Sequence, residues 1–148
     1  MATSILEKIA ANLATVLDEI SGAVIVRPKR RDWFGSTAGD WTVFVWQADD
    51  DPIERSSQKI RYRQTFELYI VTLPDDDAAA SIDTTLNDRR ATVEQKLKED
   101  RTRGGNADDT ILMGARKFSG GPSGVEFTGV MVQIGVEYKV SETNPYSL

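Results

Sequence analysis

Apolar and polar residues alternate most regularly between Gln58 and Leu73, QKIRYRQTFELYIVTL. Ile60, Tyr62, Gln64, Phe66, Leu68, Ile70 and Thr72 take the even positions. Lys59, Arg61, Arg63, Thr65, Glu67, Tyr69, Val71 and Leu73 take the odd ones. A mostly apolar set alternating with a mostly polar one is the period-two mark of a strand with one buried and one wet face. Unbroken, the run would span roughly 50 Å at about 3.3 Å per residue. A compact chain of this length is only roughly 40 Å across. Such a strand bends or overhangs its own core, and an overhang needs a neighbour to cover it.

The same reasoning orders the rest of the chain. Ile5, Leu6, Ile9, Leu13, Val16, Leu17 and Ile20 share one face of a predicted helix over Ser4 to Ser21, with Ser4 and Glu7 at capping-box spacing and Gly22 at its end. Ala23 to Arg27 predicts a short strand stopped by Pro28. Trp41 to Gln47 predicts a strand apolar on both faces, Trp41, Val43 and Val45 against Phe44 and Trp46. Ala48 to Ser57, ADDDPIERSS, predicts a polar hairpin turn or projecting arm. A second helix is predicted over Ala78 to Glu99, with Ile82, Leu86, Val93 and Leu97 as its stripe and Arg90 falling on it. A Gly-Gly turn follows over Arg101 to Asp109, then strands over Thr110 to Phe118 and Val125 to Val140. In the last strand Val130, Val132, Ile134, Val136, Tyr138 and Val140 share a face. The tail 141–148 is expected to be loose unless docked.

The resulting order, α-β-β-β-α-β-β, predicts an α+β fold, a mostly antiparallel sheet of about five strands with both helices on one face. The other face would carry Arg61, Arg63, Glu67, Gln133 and Glu137. A chain of 148 residues suits one domain, here 1–148, and 40% hydrophobic with 28% charged residues is ordinary for a globular protein. No apolar run reaches membrane-spanning length and the N-terminus does not read as a signal peptide, so a cytoplasmic setting is expected.

Cysteine and histidine are both absent. That excludes disulfides, Ser-His-Asp and Cys-His catalysis and ordinary zinc sites. A net charge of −5 argues against general nucleic-acid binding. Lys29, Arg30 and Arg31 beside Trp33 and Phe34 form one basic-aromatic cluster, which fits stacking on single-stranded nucleic acid or, preferred here, a hairpin loop packed on a neighbouring subunit. Asp75, Asp76 and Asp77 offer oxygen ligands but lack EF-hand spacing and precede a helix, where acidic residues favour the dipole. The Gly104-Gly105 turn is neither a phosphate loop nor a dinucleotide fingerprint, and the GGPSG segment matches no nucleophile elbow. No catalytic residue, cofactor or metal site is indicated.

Several segments carry a resemblance: the helix SILEKIAANLATVLDEI leading to a strand that ends in Arg27, the strand QTFELYIVTL, the stretch LKEDRTRGGNADDTIL after a helix, and the strand VMVQIGVEYKV with its Tyr138-Lys139 pair. Over nearly its whole length the chain resembles the tail-terminator, or tail-completion, proteins of tailed bacteriophages. The turn from Asp100 to Gly105 is longer than the Leu-Gly-Gly turn common in that family. The resemblance implies a non-enzymatic virion protein, assembled in the host cytoplasm and placed at the tail or neck. It implies a homo-oligomeric ring, usually a hexamer, that ends the tail tube and meets the head-tail connector or neck protein, with the tail sheath as a further neighbour. DNA would pass its lumen without specific binding. Arg30, Arg31, Trp33, Phe34, Asp50, Ile53, Arg61, Arg63, Glu67, Gln133 and Glu137 are the expected interface residues. Two alternatives remain: another phage neck or tail protein, such as a head-closure stopper or tube subunit, and a metal-dependent enzyme using Asp49–Asp51 and Asp75–Asp77.

Overall fold

The Ser4 hydroxyl accepts the Glu7 amide at 3.1 Å and opens helix α1, Ile5–Asp18, while the Glu7 carboxylate turns to Arg27. The computed structural model describes residues 3–28, 41–72, 81–120 and 127–148. The elements after α1 are β1 (Val24–Val26), β2 (Trp41–Ser56), β3 (Lys59–Thr72), α2 (Ile82–Glu99), β4 (Asp109–Gly120) and β5 (Phe127–Ser141). This is the predicted α+β order. The strands form one sheet in the order β1-β2-β3-β5-β4, antiparallel except where β1 runs parallel to β2.

That exception corrects the hairpin expected between the first two strands. Parallel neighbours need a crossover that returns the chain to the same end of the sheet. Lys29, Arg30, Arg31, Trp33 and Phe34 lie outside the described residues, as do Asp75–Asp77.

One face of the sheet is covered by the helices. Val43, Val45, Phe66, Leu68, Ile70, Val132, Ile134 and Val136 meet Ile9, Leu13 and Leu17 of α1 and Leu86, Val93 and Leu97 of α2. The alternation read from the sequence fixes that face in both β3 and β5. Arg90, expected on the α2 stripe, instead reaches along the helix to Glu94 at 2.8 Å. Lys96 ties the two helices by pairing with Glu19 at 2.8 Å.

Residues 48–56 are strand, not loop. Asp50 to Ser56 pair with β3 down to a two-residue turn at Ser57 and Gln58, where Gln58 takes a φ of 69°. The pairing slips between Gln47 and Asp50 and again between Pro52 and Glu54, so each slip is a β-bulge. Gln64 explains how the first is held. It is a buried amide on an apolar face, and its Nε2 donates to the Ala48 carbonyl at 2.8 Å, to Asp49 at 3.2 Å and to Thr65 at 2.8 Å. Carbonyls freed from the ladder by the extra residue thereby find a donor.

The turn after α2 is fastened from within. Asp100 accepts the Thr102 amide and hydroxyl and the Gly104 amide at 2.7–2.9 Å, and these bonds hold its carboxyl below the usual range. Arg103 (φ 50°) is fully buried and donates to the Leu97 carbonyl at 2.7 Å, where the negative end of the helix dipole favours a cation. The tail, expected to be loose, is held to its own chain: Pro145 accepts the Ile5 amide, Ser147 the Ser141 amide, and Gln58 the Glu142 amide.

Candidate functional site

The sheet face away from the helices divides into two zones. Near the start of β2, Phe44 and Val71 are fully buried, with Val26, Tyr69 and Phe118 packed against them. The Phe118 ring meets Tyr69 edge-on, with centroids 5.6 Å apart, and lies over Gly129. A Cβ at Gly129 would stand 2.4 Å from that ring and 2.6 Å from the Ile70 carbonyl, so glycine is required there.

Toward the Ser57-Gln58 turn the same face becomes ionic. Arg63 pairs across strands with Glu137 at 2.8 Å, and Arg61 reaches the other oxygen of the same carboxylate at 3.0 Å. Arg61 also lies 3.5 Å from Asp108 and 3.7 Å from Glu54, while Lys139 lies 3.8 Å from Asp108. Glu137 has its side chain 11% exposed, so two guanidinium groups hold a nearly buried charge. The Nε atoms of Arg61 and Arg63 are buried without a hydrogen-bond partner. Each oxygen of this carboxylate accepts from a different guanidinium, so the cluster is suited to fastening β3 to β5.

The expected interface residues thus separate. Arg61, Arg63 and Glu137 form one network. Glu67 accepts the Tyr69 hydroxyl at 3.0 Å and sits opposite Gln133, on the same face between the two zones. Asp50 departs from them: it pairs with Gln64 on the helix side and accepts the Tyr138 hydroxyl at 2.7 Å. Burial pushes the Asp50 carboxyl up, with the Tyr138 bond opposing, and burial also raises the Tyr138 phenol. Ile53 is the residue left unopposed by the second bulge, and it is 41% exposed. Arg30, Arg31, Trp33 and Phe34 lie outside the described residues.

Asp49, Asp50 and Asp51 do not converge. Successive strand residues point to opposite faces, and Asp51 stands opposite Arg63 while Asp50 faces Tyr138. Among the described residues no three carboxylates gather in a way that could hold a metal ion. No described helix is long and apolar enough to cross a membrane.

Sequence reasoning missed Glu54, Asp108 and Lys139 as members of the network. Glu54 was assigned to a loop, and Asp108 reaches the face only because its amide donates to the Glu137 carbonyl at 2.7 Å. The predicted strand over Thr110 to Phe118 is β4, but none of its residues was expected at an interface, although Leu112 and Met113 are exposed and Arg116 makes no described ion pair. A scan against models of known protein families matches nothing along this chain, and a search of curated proteins likewise finds no match.

Proposed function

We propose that this chain is a structural subunit of a tailed-phage particle, forming a ring that caps the tail tube and joins it to the head connector. The observation that carries the reading is the far half of the β2–β3 ribbon. β1 accompanies β2 only as far as Phe44, and among the described residues no strand pairs with the outer edge of β2 from Gln47 to Ser56. Residues 49–59 are all exposed. An unpaired edge of this length is a template for another strand, and a subunit of an assembly has such a strand to offer it.

The order of elements resembles tail-terminator proteins, and the charge fits the role. A net charge of −5 disfavours retention of passing DNA, because binding phosphate requires a cationic surface. Heterologous contacts that close give rings, which suits a cap that stops growth.

Negative-stain imaging and light scattering of the purified protein, alone and mixed with its tail-tube subunit, test the reading. Discrete rings that bind tube ends are the expected result. Long tubes of this chain alone would make it a tube subunit, and a monomer that ignores tube ends would overturn the proposal.

A further inference from the structure

Among the described residues the sheet has two edges with no strand paired along them, the far half of β2 and β4, and they are chemically opposite. The outer edge of β2 presents Asp49, Asp50, Asp51 and Glu54 around Pro52 and the exposed Ile53. The outer edge of β4 presents Arg116 and Lys117 beside the exposed Leu112 and Met113. Apart from Tyr146 and Leu148 in the tail, these three are the large apolar side chains left exposed among the described residues. Both edges therefore combine unpaired backbone, opposite charge and apolar side chains that the chain itself leaves uncovered.

The helices cover β4 only lightly, with Lys117 reaching Asp83 of α2 at 3.0 Å and Arg116 making no described ion pair. Residues 112–117 of β4 are exposed on both faces, and a hollow of about 210 Å³ opens between α2 and β4, lined by Leu86, Asn87, Arg90, Ala115, Arg116, Lys117 and Val130. This polar hollow with Arg116 at its rim, beside the exposed Leu112 and Met113, fits an acidic strand bearing an apolar side chain. The β2 edge has that composition. Its own acidic run opposes pairing with another β2, since like charges in apposition are unfavourable.

We propose that the β4 edge of one copy receives the far half of β2 from a second copy, so that the sheets join edge to edge in a head-to-tail contact. This names the contact inside the assembly proposed above and rests on that reading. Because the two edges differ, the contact is heterologous and propagates around a ring.

The chain has no cysteine, so introduced thiols are unique. Ile53→Cys and Leu112→Cys, both at exposed positions, are purified separately and treated with a short bifunctional maleimide alone and as a mixture. A second pair, Ile53→Cys with Met113→Cys, covers the other side of the β4 bulge. Covalent dimers in either mixture and not in the single variants are expected, with a several-fold lower yield on adding Arg116→Glu or raising salt. No dimer in either mixture overturns the contact. If the wild-type protein is nonetheless a discrete ring, the ring reading survives without it. Cross-linking of Ile53→Cys by itself, as strong as in the mixtures, also overturns it in favour of a two-fold contact. Mixed dimers from open-ended filaments would uphold the contact and remove the cap.

Discussion

The two halves of the β2–β3 ribbon share one backbone pairing and almost nothing else. In the near half, Val43, Phe44, Phe66, Leu68, Ile70 and Val71 are buried, and each strand has apolar cover on both sides. In the far half, β2 is exposed from Asp49 onward, and its side chains meet Arg61 through charge and Tyr138 through a hydrogen bond. Strand geometry persists in both because the ladder satisfies the backbone wherever the side chains lie. Burial supplies the stability of the near half. The far half is shaped by bulges, ion pairs and one buried amide, and it is the half left for a partner.

The largest effect belongs to the near half. Phe66→Ala removes a fully buried ring between the sheet and the helices and should cost about 3–5 kcal/mol in urea unfolding. A cost below about 1 kcal/mol would break the contrast. Gly129→Ala follows at about 1–3 kcal/mol, because the Ile70 carbonyl is backbone and cannot move aside as the Phe118 ring can.

Glu137→Gln tests the far half. It leaves two guanidinium groups facing a neutral amide. The arginines are 30–40% exposed, so solvent absorbs part of the loss and about 1–3 kcal/mol is expected. Glu142→Gln, which breaks the exposed pair with Arg55, should change stability by less than about 0.5 kcal/mol.

The smallest signals are in pH dependence, where two aspartates should act oppositely. Asp100 has a lowered carboxyl pKa, so its stabilisation is present above the unfolded value and is lost as acid protonates it. Asp100→Asn should therefore lower stability at pH 7 and flatten the acid decline. Asp50 has a raised pKa, so the fold favours its protonated form and loses that preference as pH rises from the unfolded value through the folded one. Asp50→Asn should preserve the Tyr138 bond and raise stability at pH 7. Urea midpoints between pH 3 and 7 for both variants decide it, and parallel shifts would refute the assignment.

Periodicity made α1, β3 and β5 legible, down to the faces they bury, because each is long and packs on one side. It failed for residues 48–56. ADDDPIERS has no apolar alternation, and its strand state comes from backbone pairing with β3 across the two-residue turn, which its own side-chain pattern does not encode. Arg61, Arg63 and Glu137 could be read as sharing a face. That one carboxylate would take both arginines depends on the register between β3 and β5. The parallel entry of β1 was hidden for the same reason, since three residues carry no direction of pairing. Gln64 read as a polar interruption of an apolar face, and only the bulge gives it a purpose.

The paired bulges of β2 also set what kind of change the ribbon tolerates. Before the first, odd-numbered residues such as Val43 and Val45 look toward the helices. Between the two, Asp50 and Pro52 do so, and after the second the parity reverts, with Glu54 beside Arg61 on the far side. Each bulge works as a frameshift in side-chain orientation, and the second restores the phase that the first displaced. Deleting the extra residue at either bulge would leave the pairs on both sides of it in register and straighten the ribbon there. Deleting a residue between the two bulges would instead turn part of the run from Asp50 to Pro52 to the opposite face.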